Sequence, residues 1–280
     1  MARSSTRSRS EAPAGGDVRE LPDVQGMTDA RNIPIDKVGV RSIEYPVTVL
    51  DRADGIQHTV ASINMYVNLP REFKGTHMSR FIEVLNRFRG NMNIRSFPLI
   101  LRAIKKELQA EEAHLEVTFP YFVKKQAPVS GAESLMEYRC TIQGAVNDGI
   151  TMGVRVEVPI TTLCPCSKEI SSSGAHNQRG TVALSVRFER FLWIEELIEI
   201  VESNASCDIY ALLKREDEKY VTEKAYANPM FAEDVVRAVA EKLLANDNIT
   251  WFSVDFENIE SIHNHNAYAH LERDKRKRGV

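Results

Sequence analysis

Met152-Gly153-Val154-Arg155-Val156-Glu157-Val158-Pro159-Ile160-Thr161-Thr162-Leu163-Cys164-Pro165-Cys166 places apolar side chains at every second position as far as Ile160, then delivers two thiols. Alternation over that length predicts a strand with one buried face. The chain continues through Ser167-Lys168-Glu169-Ile170 and a Ser/Gly-rich turn to Gly174-Ala175-His176-Asn177-Gln178-Arg179-Gly180. Val182, Leu184, Val186 and Phe188 alternate again and predict the returning strand. Sulfur and imidazole nitrogen together suit a borderline metal such as zinc. A thiol left over beside such a metal can act as acid, base or nucleophile. At alternate positions of extended chain, Cys164 and Cys166 point to one face, and a disulfide closing so small a ring would be strained.

Working outward, Ile43, Tyr45, Val47 and Val49, then Ile63, Met65 and Val67, predict two strands around the turn Ala53-Asp54-Gly55. Helical spacing sets Met78, Phe81, Leu85 and Phe88 on one face, and a second helix near Ser96 and Pro98 carries Leu101, Ile104 and Leu108. Strands follow at Leu115, Val117, Phe119, Tyr121 and Val123, and at Tyr138, Cys140 and Ile142. Beyond Phe188 come a short helix with Trp193, Leu197, Ile198 and Val201, and a helix begun by Asn228-Pro229 that buries Phe231, Val235, Val239 and Leu243. Phe252, Val254 and Phe256 form a strand, and 262–271 the last one.

Both halves therefore read ββααββ, an α+β architecture made by tandem duplication, with an antiparallel sheet and a helix pair in each unit. The expected organisation is a disordered tail over 1–35, a first unit over 36–148, a second over 149–272 carrying the metal site, and a basic tail over 273–280. Each sheet keeps a second face that needs covering, so barrel closure or a partner subunit, and hence an oligomer, is expected.

The 280 residues are 43% hydrophobic and 27% charged, as in ordinary globular proteins. A net charge of -3 gives no global field for nucleic acid, so an anionic substrate needs a local cluster of Lys and Arg. No apolar run approaches the ~20 residues of a membrane span. The Arg- and Ser-rich N-terminus lacks the apolar segment of a secretory signal; it suits an unstructured tail, with a transit peptide as the lesser alternative. Four cysteines, Cys140, Cys164, Cys166 and Cys207, are too sparse for a disulfide scaffold. They read as reduced thiols in a cytoplasmic setting, Cys140 and Cys207 as small apolar fillers.

Other polar residues are not explained by a core. His176 alone would be a solvated turn histidine; near two thiols it becomes a ligand candidate, in a set too small for a structural zinc site and open enough for a catalytic one. Glu216-Asp217-Glu218, between the second-half helices, reads as a solvated loop able to lend a carboxylate. Glu233 reads first as a favourable acid near a helix N-terminus. In Glu260-Ser261-Ile262-His263-Asn264-His265, the histidines alternate on one strand side, and Glu260 can accept two parallel hydrogen bonds from a guanine edge. In Lys74-Gly75-Thr76-His77-Met78-Ser79-Arg80-Phe81, Thr76 can cap a helix whose free N–H groups would suit an anion.

Taken together, these residues resemble the type IB GTP cyclohydrolases. The matching pieces are Leu21-Pro22-Asp23-Val24-Gln25, the Lys74 to Phe81 stretch, Cys164-Pro165-Cys166-Ser167-Lys168 with its Arg179-Gly180 sequel, Asn228-Pro229-Met230-Phe231-Ala232-Glu233-Asp234, and Glu260-Ser261-Ile262-His263. The resemblance implies the tunnelling fold, with two tandem ββααββ units per chain assembling into barrels in a homotetramer and active sites at subunit interfaces. It implies conversion of GTP and water to 7,8-dihydroneopterin triphosphate and formate, at the entry to folate synthesis and to some tRNA modification. It implies one divalent metal per site, zinc, manganese or iron, on Cys164, His176 and Glu218, with Cys166 beside the purine carbon under attack. Glu233 and His263 would lie near metal and substrate. Glu260 would anchor the purine, with His265 on the substrate side and Arg80, Lys168 and Arg179 as cations for the triphosphate. The chemistry agrees: hydrating guanine C8 needs a hydroxide-like nucleophile, which a metal provides by lowering the pKa of water towards ~7, and a second group such as Cys166 or His263 must protonate the opening ring. Two rivals remain at this stage. One is a tunnelling-fold nitrile reductase using NADPH and a Cys166 thioimide; the other is a non-catalytic purine-binding module.

Overall fold

The computed structural model describes residues 23–277. Of the expected N-terminal tail, residues 1–22 lie outside the described residues; residues 23–34 are docked, not free. Lys74 and Gly75 donate backbone hydrogen bonds to Met27 and Gln25, and Asp29 donates to Glu72. Of the basic C-terminal run, 278–280 lie outside the described residues, while the last strand already reaches Asp274.

The first unit comprises β1 (Ile35–Asp51), β2 (Gly55–Leu69), α1 (Met78–Arg87), α2 (Phe97–Glu107), β3 (Ala113–Gln126) and β4 (Glu133–Val146). The second comprises β5 (Ile150–Leu163), α3 (Pro165–Ile170), β6 (Asn177–Phe188), α4 (Ile194–Glu202), β7 (Cys207–Asp208), α5 (Arg215–Ala227), α6 (Ala232–Ala245), β8 (Ile249–Ile259) and β9 (Asn266–Asp274). The repeated ββααββ order is thus present, with α3, β7 and α5 inserted in the second copy. The units do not keep separate sheets. β4 and β5 pair antiparallel from Arg139–Glu157 to Val146–Ile150, giving one nine-stranded sheet in the order β1-β2-β3-β4-β5-β6-β8-β9, with β7 on β5.

Alternation drives burial on one face. Ala61, Ile63, Met65 and Val67 of β2 and Leu115, Val117, Phe119 and Tyr121 of β3 enter the core beside Phe81 and Leu85 of α1 and Ile100, Leu101 and Ile104 of α2. Leu197 and Val201 of α4 and Val235, Val239 and Leu243 of α6 enter the same core with Phe252, Val254 and Phe256 of β8. On the opposite face of their strands, Val60, Leu135 and Tyr268 are exposed. All four cysteines are free thiols. Cys140 and Cys207 are buried, and burial pushes both thiols up from the ordinary value, as befits fillers.

Three local expectations are corrected. Thr76 does not cap α1: His77 takes the N-cap position, without a side-chain hydrogen bond. Asn228-Pro229 does not start a helix. Asn228 closes α5 and donates its amide to the Ala205 carbonyl, while the Met230 N–H reaches back to Leu163, so α6 begins only at Ala232. The acidic stretch 216–218 is not a loop but the first turn of α5. That helix buries only Asp217 and Ala225, too little apolar surface for a periodic signal.

Gly180 shows how closely the sheet packs near the site. A Cβ there would meet the Phe256 ring at 2.5 Å and the Glu257 carbonyl oxygen at 2.6 Å. Gly180→Ala is therefore expected to destabilise the protein by about 1–3 kcal/mol, an overpacking cost. Urea unfolding checks it, and an unchanged midpoint would show that β6 and β8 have room to spare.

Candidate active site

The candidate site forms where β5 ends. Pro165 at the first helical position stops the strand and starts α3, its fixed φ suiting a helix start. Cys164 becomes the N-cap, and its Sγ accepts the Ser167 N–H at 3.4 Å. The expectation that both thiols share one strand face is therefore wrong, because Cys166 sits inside the helix and outside the strand. Cys164 is half-buried, whereas Cys166 is exposed.

Gly174, with φ of 76°, turns the chain back, a left-handed conformation that glycine takes without steric cost. The Cys164 N–H then donates to the His176 carbonyl at 3.1 Å, and the His176 N–H donates to Ser167 Oγ at 3.2 Å. Thiol and imidazole thus flank one lip of the β5–β6 pair, which ends in register at Leu163–Asn177. The His176 ring has its Nδ1 3.0 Å from Gln178 Oε1 and 3.4 Å from Ser261 Oγ.

The neighbouring β8–β9 turn supplies the next groups. β8 ends at Ile259, so 260–265 form a turn, and His263 and His265 are not alternate strand residues. Their rings nonetheless stack, with centroids 5.0 Å apart. Thr162 Oγ1 donates to Asn258 Oδ1, and Asn258 Nδ2 donates to Glu260 Oε1 at 3.2 Å, linking the Cys164 strand to Glu260 and leaving Glu260 Oε2 free of that chain. Arg179 lies on β6 opposite Ile259 and is exposed. Lys168 donates to the Tyr226 carbonyl at 2.6 Å and lies over that ring. Glu233 is exposed in the first turn of α6, which Met230 ties to the end of β5.

Glu218 is exposed in the first turn of α5. Among the described residues, no three His, Cys, Asp or Glu side chains converge as a metal cluster. Thr222 and Ala225 line a cavity of about 180 Å³ together with Thr161 and Asn177. Glu218 stands one turn before Thr222, on that same helix face. Cys164 and His176 thus fit a metal in donor type, and their backbones are hydrogen-bonded neighbours, whereas Glu218 does not converge with them. Arg80 is not part of this lip. It donates to the Glu107 carbonyl and lines a separate cavity with Asp23 and His77, whose carboxyl oxygen and ring Nε2 lie 3.3 Å apart.

Sequence reasoning missed Gln178, Ser261, Asn258 and Thr162. Gln178 had a signal, being a buried-side polar residue two positions after the histidine. It also missed Asp217, which accepts hydrogen bonds from the N–H groups of Val129, Ser130 and Lys214 and from the Ser130 hydroxyl. Burial works to raise the Asp217 carboxyl, but those donors outweigh it and hold it well below the usual range. They also fix the start of α5, and hence Glu218, to the β3–β4 hairpin.

A cavity of about 670 Å³ lies elsewhere, between the β1–β2 turn, the end of β3 and α4. Arg52 pairs there with Glu199 and Lys125 with Glu202, while the Glu195 carboxyl accepts from the Arg52 N–H and the Tyr121 hydroxyl through Oε1 and leaves its buried Oε2 without a partner among the described residues. Behind the site, Asp208 binds Lys224 at 2.8 Å and Lys125 at 3.4 Å, pinning the last turn of α5.

A sheet of this order with paired helices on one face defines a tunnelling-fold protein. Uricase from Arthrobacter globiformis has a similar structure, with TM-score 0.53 over 88% of this chain and 94% of that one at 8% identity. Uricase from Bacillus fastidious has TM-score 0.51 over 86% and 94%, again at 8% identity. The profile of the type I GTP cyclohydrolase folE2 family matches residues 21–269, and the chain belongs to that family. GTP cyclohydrolase FolE2 of Syntrophobacter fumaroxidans is 62% identical over 255 residues, covering 90% of this chain and 99% of the relative. GTP cyclohydrolase FolE2 of Syntrophus aciditrophicus is 61% identical over 253 residues, with coverage of 90% and 99%.

The Asp208 network gives a pH prediction. Burial works to raise the Asp208 carboxyl, but Lys224 and Lys125 outweigh it, and the group lies below its ordinary 3.8. Its contribution to stability is present above that ordinary value and lost as pH falls through the folded one. Asp208→Asn is expected to cost about 3 kcal/mol at neutral pH, as when one partner of a buried ion pair is removed. The gap to wild type should shrink below about pH 4. Denaturant titrations at several pH values test this; a gap that is unchanged on acidification would contradict the ionic origin.

Proposed function

We propose that the lip formed by Cys164 and His176 is the hydrolytic centre of a GTP cyclohydrolase. The chain converts GTP and water to 7,8-dihydroneopterin triphosphate and formate, the first step of folate and pterin biosynthesis. Identity above 60% over nine-tenths of the chain carries the reaction; the Cys164 N–H to His176 carbonyl bond carries the location of the centre.

Cys164 and His176 would hold one divalent metal, zinc, manganese or iron, with Glu218 as third ligand. The S, N, O set tolerates all three ions. Bound there, the metal supplies Lewis acidity that lowers the pKa of water and makes hydration of guanine C8 feasible at neutral pH. Glu260 receives the N1–H and 2-amino edge of the base, its Oε1 keeping a lone pair beside the Asn258 contact. Cys166, exposed on α3, protonates the imidazole nitrogen as the ring opens, with His263 as the alternative donor. Glu233 acts in later proton transfers, and His265 stacks behind His263 against the substrate. Lys168 and Arg179 flank the lip and neutralise triphosphate charge. Arg80 serves the same role from a neighbouring protomer, in a homotetramer whose sites lie between subunits. No helix among the described residues is long and apolar enough to cross a membrane.

The test is incubation of metal-reconstituted protein with GTP, followed by oxidation, phosphatase and neopterin fluorescence. Cys164→Ala and His176→Ala are expected to lose the signal together with bound metal. Cys166→Ala should lose at least about 100-fold in kcat while retaining metal. Full metal content in both ligand variants would sink the assignment.

A further inference from the structure

Gln178 lies on β6 between two exposed residues, yet only 8% of its own surface is exposed. Its Oε1 lies 3.0 Å from His176 Nδ1. A carbonyl oxygen has no proton to give, so Nδ1 carries the hydrogen in this contact. Nε2 of the neutral ring then keeps its lone pair free. The histidine backbone is held independently, its N–H by Ser167 and its carbonyl by Cys164, so ring orientation and tautomer are what remain to be set. Ser261 Oγ, at 3.4 Å from the same Nδ1, can accept as well as donate and is compatible with that tautomer.

We infer that Gln178 is a positioning residue: it locks His176 as the Nδ1–H tautomer and aims Nε2 as the ligating atom. Histidine ligands commonly donate their second N–H to an oxygen that fixes the ring, and losing that partner costs about 10- to 100-fold in metal affinity. The inference rests on the reading of His176 as a ligand. Gln178 also couples the lip to the interior, because it pairs in register with Thr162, whose hydroxyl begins the chain through Asn258 to Glu260. The opposite amide orientation would put the NH2 group on Nδ1 and the hydrogen on Nε2, blocking ligation, so the two orientations predict opposite tautomers.

The first measurement is nitrogen NMR of metal-free, histidine-labelled full-length protein at mildly alkaline pH. His176 should show a protonated Nδ1 and an unprotonated Nε2, and Gln178→Leu should mix the two tautomers. The second is zinc and manganese affinity by chelator competition. Gln178→Leu is expected to bind about 10- to 100-fold more weakly, and Gln178→Glu, which keeps an acceptor oxygen, should restore most of that loss. A wild-type ring protonated on Nε2, or a folded Gln178→Leu with wild-type affinity, overturns the inference. If Gln178→Leu does not fold, the wild-type tautomer and the Gln178→Glu affinity decide. If His176→Ala keeps wild-type affinity, the ligand reading itself falls and this inference with it. If His176→Ala loses metal and folded Gln178→Leu does not, only the positioning role falls.

Discussion

The backbone ladder between β5 and β6 runs from Gly153–Arg187 to Leu163–Asn177, and the Cys164 N–H to His176 carbonyl bond extends it one step further. The site depends on that last step. Beyond Leu163 the chain leaves the sheet through Pro165 and a short helix, and it must return before β6 can pair. The closing bond brings residues twelve apart in sequence to one lip, at the end of two strands that are anchored along their whole length. A site on rigid strand ends holds its geometry better than one on a free loop.

Around that lip, each approaching segment is tethered by its own polar contact. Met230 binds Leu163 and carries α6 and Glu233 with it. Asn258 bridges Thr162 to Glu260 and fixes the β8–β9 turn. Asp217 ties the first turn of α5 to the β3–β4 hairpin, and Asp208 ties its last turn, at Lys224, to Lys125 of β3. Buried polar groups of this kind are costly unless fully partnered, so each specifies one arrangement and penalises slippage. Gly180, packed beneath the Phe256 ring, lets β6 and β8 approach closely at the level of the site.

The family relationship accounts for the chemistry, while the fold likeness to uricases, at 8% identity, concerns architecture alone. The rival reading of Cys166 as a thioimide nucleophile gives way to a cyclohydrolase on that relationship. The chain separates its two thiols physically as well: Cys164 is half-buried as a helix cap, and Cys166 is exposed one residue inside the helix.

The sequence by itself determined the strands, the four long apolar helices and their duplicated order, because alternation in Ile63 to Val67 or Val154 to Ile160 and helical spacing in Phe81 to Leu85 are local consequences of burying one face. It also determined the chemically distinctive residues, since thiols and histidines in a Ser/Gly turn stand out from any core. Tertiary structure decided the rest. Helix α5 was hidden because its anchor is a buried carboxylate, Asp217, hydrogen-bonded to a hairpin more than eighty residues away. The late start of α6 was hidden because the Met230 N–H is spent on Leu163. Gln178 reads as an ordinary strand residue until the fold sets its oxygen against the His176 ring. Periodicity reports which face a residue takes, and only the packed chain decides which distant hydrogen-bond partner it meets there.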